Sequence, residues 1–265
     1  MTEKSAEEPK KGGLLKFLLL LALFAWVLRS FIVAPFMIPS GSMLPTMLVG
    51  DYLFVSKWPY GYSKHSFPFG IPSFDGRLLE DYPEHGDVVV FASPVDGKVV
   101  VKRVIGLPGD NVEMRDGTLI LNGAPVSKVK LRDFALEVSP NSPCTVASGA
   151  RQFIEPDADG NQICRYPAYK ETLPNGVSYS VLDQSDTVGD NVGPFIVQPG
   201  YLFLMGDNRD ASGDSRFASS LGQVPIENVM GRAEMNFWST DGSSSYVLPW
   251  TWFTAMRGSR IGVTY

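Results

Sequence analysis

The chain has 265 residues, 44% of them hydrophobic, and its 23 basic and 28 acidic side chains leave a net charge of −5. That length allows one or two folded domains with a full core. The acidic balance argues against a nucleic-acid surface, and two cysteines alone make no zinc site.

Residues 1–13 are polar and mixed in charge, and read as a disordered tail. Residues 14–33 are the only long apolar run, interrupted by Lys16 and Arg29 near its two ends. A bilayer-spanning helix needs roughly 20 apolar residues, and both cations can snorkel to the interfaces. The run is therefore read as a single membrane anchor. A cleaved signal peptide would need a small-x-small site after its apolar core, but Arg29, Phe31 and Pro35 stand there. Lys10, Lys11 and Lys16 at the start predict a cytoplasmic N-terminus. Residues 34–265 would then lie on the outer face.

Beyond residue 34 the signals are β. Gly50-Asp51 is a turn before the apolar run Tyr52–Val55, and Gly86-Asp87 precedes Val88–Phe91 in the same way. Val99–Val101 and Val104-Ile105 flank Lys102-Arg103. Thr118–Leu121 before Asn122-Gly123 reads as half of a hairpin, and Pro199-Gly200 introduces Tyr201–Met205. Residues 58–85, rich in Pro, Gly, Tyr and Phe, read as a long loop. Residues 124–199 read as a less regular β insertion. Near the end Tyr246, Trp250, Trp252 and Phe253 are followed by Met256, Arg257 and Arg260. This suits either a membrane surface or a packed edge of the β domain.

The stretch most suggestive of chemistry is Pro39-Ser40-Gly41-Ser42-Met43-Leu44-Pro45-Thr46, directly after the anchor. A serine hydroxyl is a poor nucleophile until a base takes its proton. His65 and His85 both lie in polar, turn-like text, so a Ser-His-Asp arrangement has no support. A lysine serves as base only when neutral, and burial among apolar groups lowers its pKa. Lys102 lies within a valine-rich strand, and alternation places it and Arg103 on opposite faces. One of them can point inward; the alternative is an exposed strand with both solvated. Lys57, next to Trp58-Pro59, reads as a loop residue with a free ammonium. Ser127-Lys128-Val129-Lys130 has the Ser-x-x-Lys spacing of penicillin-binding enzymes, but lacks the helix and the companion motifs. Residues 206–216 form a dense polar cluster after a strand, either a solvated turn or a brace for a site. Cys144 and Cys164 are either a disulfide or two separate thiols; a location outside the cytoplasm favours the bond.

Four blocks together resemble bacterial type I signal peptidase (leader peptidase): Ser40–Thr46, Gly50-Asp51, Lys102–Asp110, and Gly206–Arg209 through Ser212-x-Asp214-Ser215-Arg216. They occur in the family's order, after an N-terminal anchor. The resemblance implies a mainly β catalytic domain of coiled antiparallel sheets. Its core would comprise about 34–110 and 200–265, with a variable β insertion at about 111–199. It implies Ser42 as nucleophile and Lys102 as general base. Ser40 would join the Ser42 backbone N–H in an oxyanion hole, and Ser212 would orient Lys102. Arg103 with Asp207, and Asp214 with Arg216, would be bracing ion pairs. Phe36, Ile38, Met43, Leu53, Val90 and Val101 would wall the substrate pockets. No metal or cofactor is implied.

The implied partners are exported precursor proteins and the lipid bilayer, and the implied location is the inner membrane with a periplasmic catalytic domain. Ala34 and Ala211 depart from frequent family residues, and only one membrane segment is visible, where some relatives have two. Two other readings are a self-cleaving Ser-Lys protease and a membrane-tethered β domain used only for binding.

Overall fold

The computed structural model describes residues 11–144, 153–245 and 247–265. Lys10 and Tyr246, both invoked above, lie outside the described residues. Helix α1 (Lys11–Val27) continues through a wide, π-helical turn, Leu28–Ile32, which buries Ser30. Gly13–Ile32 has a mean hydropathy of 2.1 and stands almost entirely clear of the rest of the protein. Its length matches the hydrocarbon core of a bilayer, and it forms a single membrane-spanning helix. Val33, at the end of the apolar run, already belongs to the first strand and pairs with Ser56.

The strands in chain order are β1 (Val33–Met37), β2 (Asp51–Ser56), β3 (Val88–Ala92), β4 (Val99–Gly106), β5 (Asn111–Arg115), β6 (Thr118–Leu121), β7 (Ala124–Pro125), β8 (Ser127–Lys130), β9 (Phe134–Glu137), β10 (Ile154–Pro156), β11 (Gln162–Tyr166), β12 (Ala168–Thr172), β13 (Ser178–Leu182), β14 (Val192–Ile196), β15 (Tyr201–Met205), β16 (Val224–Pro225) and β17 (Val229–Ser239). Seven of them form one curled antiparallel sheet in the order β1-β2-β17-β3-β4-β15-β16. The strands between β4 and β15 build three smaller sheets, β14-β5-β6-β7, β10-β11-β9 and β13-β12-β8.

The central strands read as unbroken apolar runs because both faces of the sheet are covered. In β3, Val89 and Phe91 enter one apolar cluster, and Val88 and Val90 enter another. In β15, Leu202 and Leu204 pack with Tyr60, Leu221 and Ile226, whereas Phe203 and Met205 pack with Val112, Leu119 and Val181. The smaller sheets therefore share a core with the large one. Curl comes from irregular pairing. β17 shifts register against β2 after Ala233 and after Asn236, and against β3 after Val229. Extra residues of this kind bend a strand and increase its twist.

The sequence left the end of the chain open between a membrane surface and a packed edge. Trp250 and Phe253 are exposed around a short helix, α2 (Thr251–Thr254). Arg257 and Arg260, however, turn inward. Arg257 donates to Val49 O and Ser239 Oγ, and Arg260 donates to Thr46 O and pairs with buried Asp51 at 2.6 Å. They tie the C-terminal segment to the loop that carries Ser42, rather than forming a basic flank for the aromatics.

Gly231 sits where β17 crosses closest to β2. A β-carbon there would lie 2.1 Å from the Ser56 carbonyl oxygen, a backbone atom that cannot swing away. Gly231→Ala is expected to cost about 2–3 kcal/mol through overpacking, read as a lower denaturation midpoint of the detergent-solubilised protein.

Candidate active site

β1 leaves the anchor and ends two residues before Pro39. The next segment folds back on itself: Ile38 N donates to Asp51 O and Gly50 N donates to Ile38 O, at 2.8 and 2.9 Å. Inside this closed loop, Gly41–Met43 make one tight helical turn. Met43 and Met47 are buried in an apolar cluster with Ile38, Leu53 and Val90, which fixes the turn from beneath. Ser42 is left half-buried at the rim and Ser40 exposed. Their hydroxyls are 3.5 Å apart.

β4 brings Lys102 to this turn. Lys102 is only 2% exposed, and its Nζ lies 2.6 Å from Ser42 Oγ. Its pKa is lowered to about 8, mainly by burial; Asp214 and Asp207 pull it upward and Arg216 pushes it down. Both nearby carboxylates are already matched. Asp207 takes two hydrogen bonds from Arg103, at 2.8 and 2.7 Å, and Asp214 takes two from Arg216, at 2.9 and 3.0 Å. Sequence alternation left one of Lys102 and Arg103 free to point inward. Both are buried, because both faces of β4 are covered; Arg103 also stacks on Tyr179 and donates to Gly86 O.

Ser212 departs from expectation. Its hydroxyl is buried against Gly206 and makes no hydrogen bond, to Lys102 or to any other group among the described residues. Lys57 departs as well: it is buried, not free in a loop, with its ammonium 5.4 Å over the Phe36 ring. Its pKa is also lowered to about 8, by burial first and then by Arg29 and Arg77. A lowered pKa therefore does not single out Lys102; contact with the Ser42 hydroxyl does. Lys128 lies on a strand and pairs with Asp183. Neither histidine lines a cavity that contains Ser42.

Two cavities flank the nucleophile turn. One, of about 190 Å³, is walled by Phe36, Ile38, Met43 and Val101, with Ser40 and Ser42 at its edge. Leu53 and Val90 are fully buried behind this wall and do not line it. The other, of about 780 Å³, opens on the opposite side of the turn toward Leu136, Tyr166 and Ser212. Cys144 and Cys164 also line it and are joined in a disulfide.

Several supporting residues had no assigned role in the sequence. Asn208 donates from its side chain to Gly41 O and from its backbone to Ser42 O. Thr46 donates to Asp207, on the side away from Arg103 Nε. Both lie inside motif blocks, so proximity to Ser42 and Asp207 was the available signal. Glu171, in β12, carried no signal at all. It receives two N–H bonds from buried Arg209 and one from the Tyr179 hydroxyl. Burial opposes the Arg209 charge, but Glu171 more than restores it, and its pKa is raised. Arg209 also donates to Gly206 O and accepts from Arg216 at its own carbonyl. β12 thereby helps to hold the 206–216 segment against the Ser42 turn.

Residues 12–238 match the family model described as signal peptidase, peptidase S26. A signal peptidase I of Rickettsia typhi is 38% identical over 226 residues, covering 82% of this chain and 76% of the relative. One of Rickettsia akari is 36% identical over 258 residues, covering 89% and 86%. A solved signal peptidase I from Enterococcus faecalis is 28% identical and covers 57% of this chain and 97% of its own, with a TM-score of 0.31.

Removing one partner of a buried ion pair costs about 3–5 kcal/mol, because the other charge is stranded. Glu171→Ala is expected to lose that much. Adding Arg209→Ala should cost far less than a second independent loss, as a double-mutant cycle in urea would measure.

Proposed function

The chain belongs to the signal peptidase family S26, a family of membrane-anchored serine endopeptidases, and from that membership we propose that Ser42 and Lys102 are the dyad that cleaves exported precursors. The observation that carries this reading is the 2.6 Å contact between Ser42 Oγ and a buried lysine amine with no carboxylate of its own.

With Lys102 neutral, the Ser42 O–H donates to the amine lone pair. As Oγ attacks the scissile carbonyl, the proton passes to Nζ. The oxygen of the tetrahedral intermediate takes up negative charge and is met by the Ser42 backbone N–H and the Ser40 hydroxyl. Collapse breaks the C–N bond, and ammonium Lys102 returns the proton to the leaving amine. A water, deprotonated by the again neutral amine, then hydrolyses the ester on Ser42. Ser212 lines the same cavity as Ser42, and its hydroxyl, which bonds to no described group, is available to orient the Lys102 amine during turnover. Asp207 and Asp214 keep their own arginines, so neither holds the amine protonated.

Substrate choice follows from the smaller cavity. A peptide laid in extended form along the free edge of β1 points alternate side chains to one side. The first and third residues before the cut then face the shallow space between Phe36, Ile38, Met43 and Val101. Small side chains fit there. The anchor supplies the high local concentration of a membrane-tethered substrate. The same reading divides the chain into a cytoplasmic tail (1–13), an anchor (14–33) and a periplasmic catalytic domain (34–265) in the inner membrane.

Ser42→Ala and Lys102→Ala are each expected to abolish precursor cleavage while the denaturation midpoint stays within ordinary mutational scatter. Turnover by purified Lys102→Ala protein would refute the mechanism. Lys102→Arg should also be inactive, since a guanidinium remains protonated.

The active form carries a neutral amine, so activity is lost as pH falls and gained as it rises. The kcat/KM of wild-type protein should climb through pH about 8, following the lowered pKa of Lys102, and level off above it. A flat profile from pH 6 to about 10 would contradict the assignment of the base.

A further inference from the structure

We propose that the loop from Trp58 to Leu79 is a second lipid contact, a rigid apolar fin beside the anchor that seats the catalytic domain on the outer surface of the bilayer. This rests on α1 spanning the membrane and is independent of the chemistry at Ser42.

The loop is bonded to the anchor rather than hung from it. Lys57 N donates to Ile32 O at 3.0 Å, and the Tyr62 hydroxyl donates to Phe31 O at 2.9 Å. The Phe67 ring lies 5.3 Å from Phe31 and stacks on Trp26 at 6.5 Å. Trp26 belongs to α1, so the loop packs directly on the spanning helix.

Its base is equally fixed. The Arg77 guanidinium donates to the carbonyls of Tyr60, Gly61, Ile226 and Val229. Ser63 and Ser66 cap each other across a tight turn, and Tyr62 pairs with Leu78 through two backbone bonds.

This framework presents apolar groups outward. Phe69 is 98% exposed and is held at φ 61°, a left-handed conformation that a side-chain-bearing residue rarely adopts. Ile71, Leu79 and Trp58 are exposed with it. Phe67, two residues before Phe69, packs on Trp26 of α1, where Trp26 and Ile32 are themselves exposed. Arg29 at the end of the spanning helix and Lys64 in the tight turn are cations that phosphate headgroups would pair with. Exposed aromatics together with cations match a bilayer interface.

The test uses the full chain in phosphatidylethanolamine–phosphatidylglycerol liposomes, without substrate. The only native cysteines are joined to each other, so Phe69→Cys accepts a nitroxide label alone, and Asp159→Cys on the exposed insertion serves as the aqueous control. At position 69 the label should collide several-fold more with oxygen than with a water-soluble nickel chelate, and at 159 the reverse. Equal, water-like collision at both sites overturns the proposal. So does shielding that develops only when precursor is added, which would make the loop a substrate contact.

As a second readout, Phe69→Ser with Ile71→Ser should cleave a short soluble peptide in detergent at the wild-type rate and a bilayer-inserted precursor about tenfold more slowly. Wild-type rates on both, or equal losses on both, overturn the seating role. Peptide cleavage that persists leaves the dyad assignment standing whatever the label reports.

Discussion

The structure depends on one unusual transaction: a lysine amine is taken out of water with no carboxylate to receive it. Lys102 is buried, its hydrogen-bond partner is a neutral hydroxyl, and the two acids close enough to hold its proton are each engaged by an arginine. Desolvation disfavours the charged form, and neutralised neighbours cannot repay it. The amine is thereby brought to a pKa of about 8, within reach of a neutral medium. An unpaired Asp207 or Asp214 would undo this, which gives Arg103 and Arg216 a clear reason to be buried beside them. Both arginines withhold negative charge from the Lys102 amine.

Keeping that arrangement still requires support from sequence-distant parts of the chain. The nucleophile turn is held by Asn208 on its carbonyls, by Met43 and Met47 below, and by Arg257 and Arg260 from the C-terminal segment. The 206–216 segment is held by Glu171 from β12. The small sheet that contains β12 is thus not merely an appendage of the large one. It supplies the counter-charge that keeps Arg209, and through it Gly206 and Arg216, in place. Gly206 has no room for a side chain, since a β-carbon would lie 2.5 Å from Ser42 O and 2.2 Å from Ser212 Oγ.

How much of this the sequence disclosed follows from which forces leave a local trace. β3, β4 and β15 were legible because strands covered on both faces become continuous apolar runs bounded by Gly-Asp or Pro-Gly turns. β17, the longest strand, escaped notice. Its bulges break the period of two, and Arg232, Glu234 and Asn236 interrupt its apolar text. Lys102 and Ser42 were legible as motifs, but their contact spans 60 residues and is set by the curl of the sheet. Lys57 was misread because a lysine beside Trp-Pro resembles a loop residue; packing of the loop under the anchor buries it. Arg257 and Arg260 were left open between a membrane surface and a packed edge. Basic residues after aromatics look interfacial until the acceptors they reach, Asp51 and the carbonyls of the nucleophile loop, are known. Glu171 left no trace, because an ion pair between residues 38 apart has no local signature.

The height of the site above the membrane has a geometric cause. Only ten residues separate Ile32 at the end of the span from Ser42 (42 − 32), and five of these are β1, locked to β2 in register from Val33 to Met37. At no more than roughly 3.6 Å per extended residue, Ser42 stands within about 36 Å of the point where the anchor ends. β1 is paired with β2 along its whole length, which fixes that half of the path. The bonds from Lys57 and Tyr62 to the carbonyls of Ile32 and Phe31 then fix the angle between the anchor and the sheet. A flexible tether would let the catalytic domain sample many heights, most of them useless for a cut close to the bilayer. A span that runs into a hydrogen-bonded strand limits the domain to a few of them, and the gain in effective concentration comes from rigidity as much as from attachment.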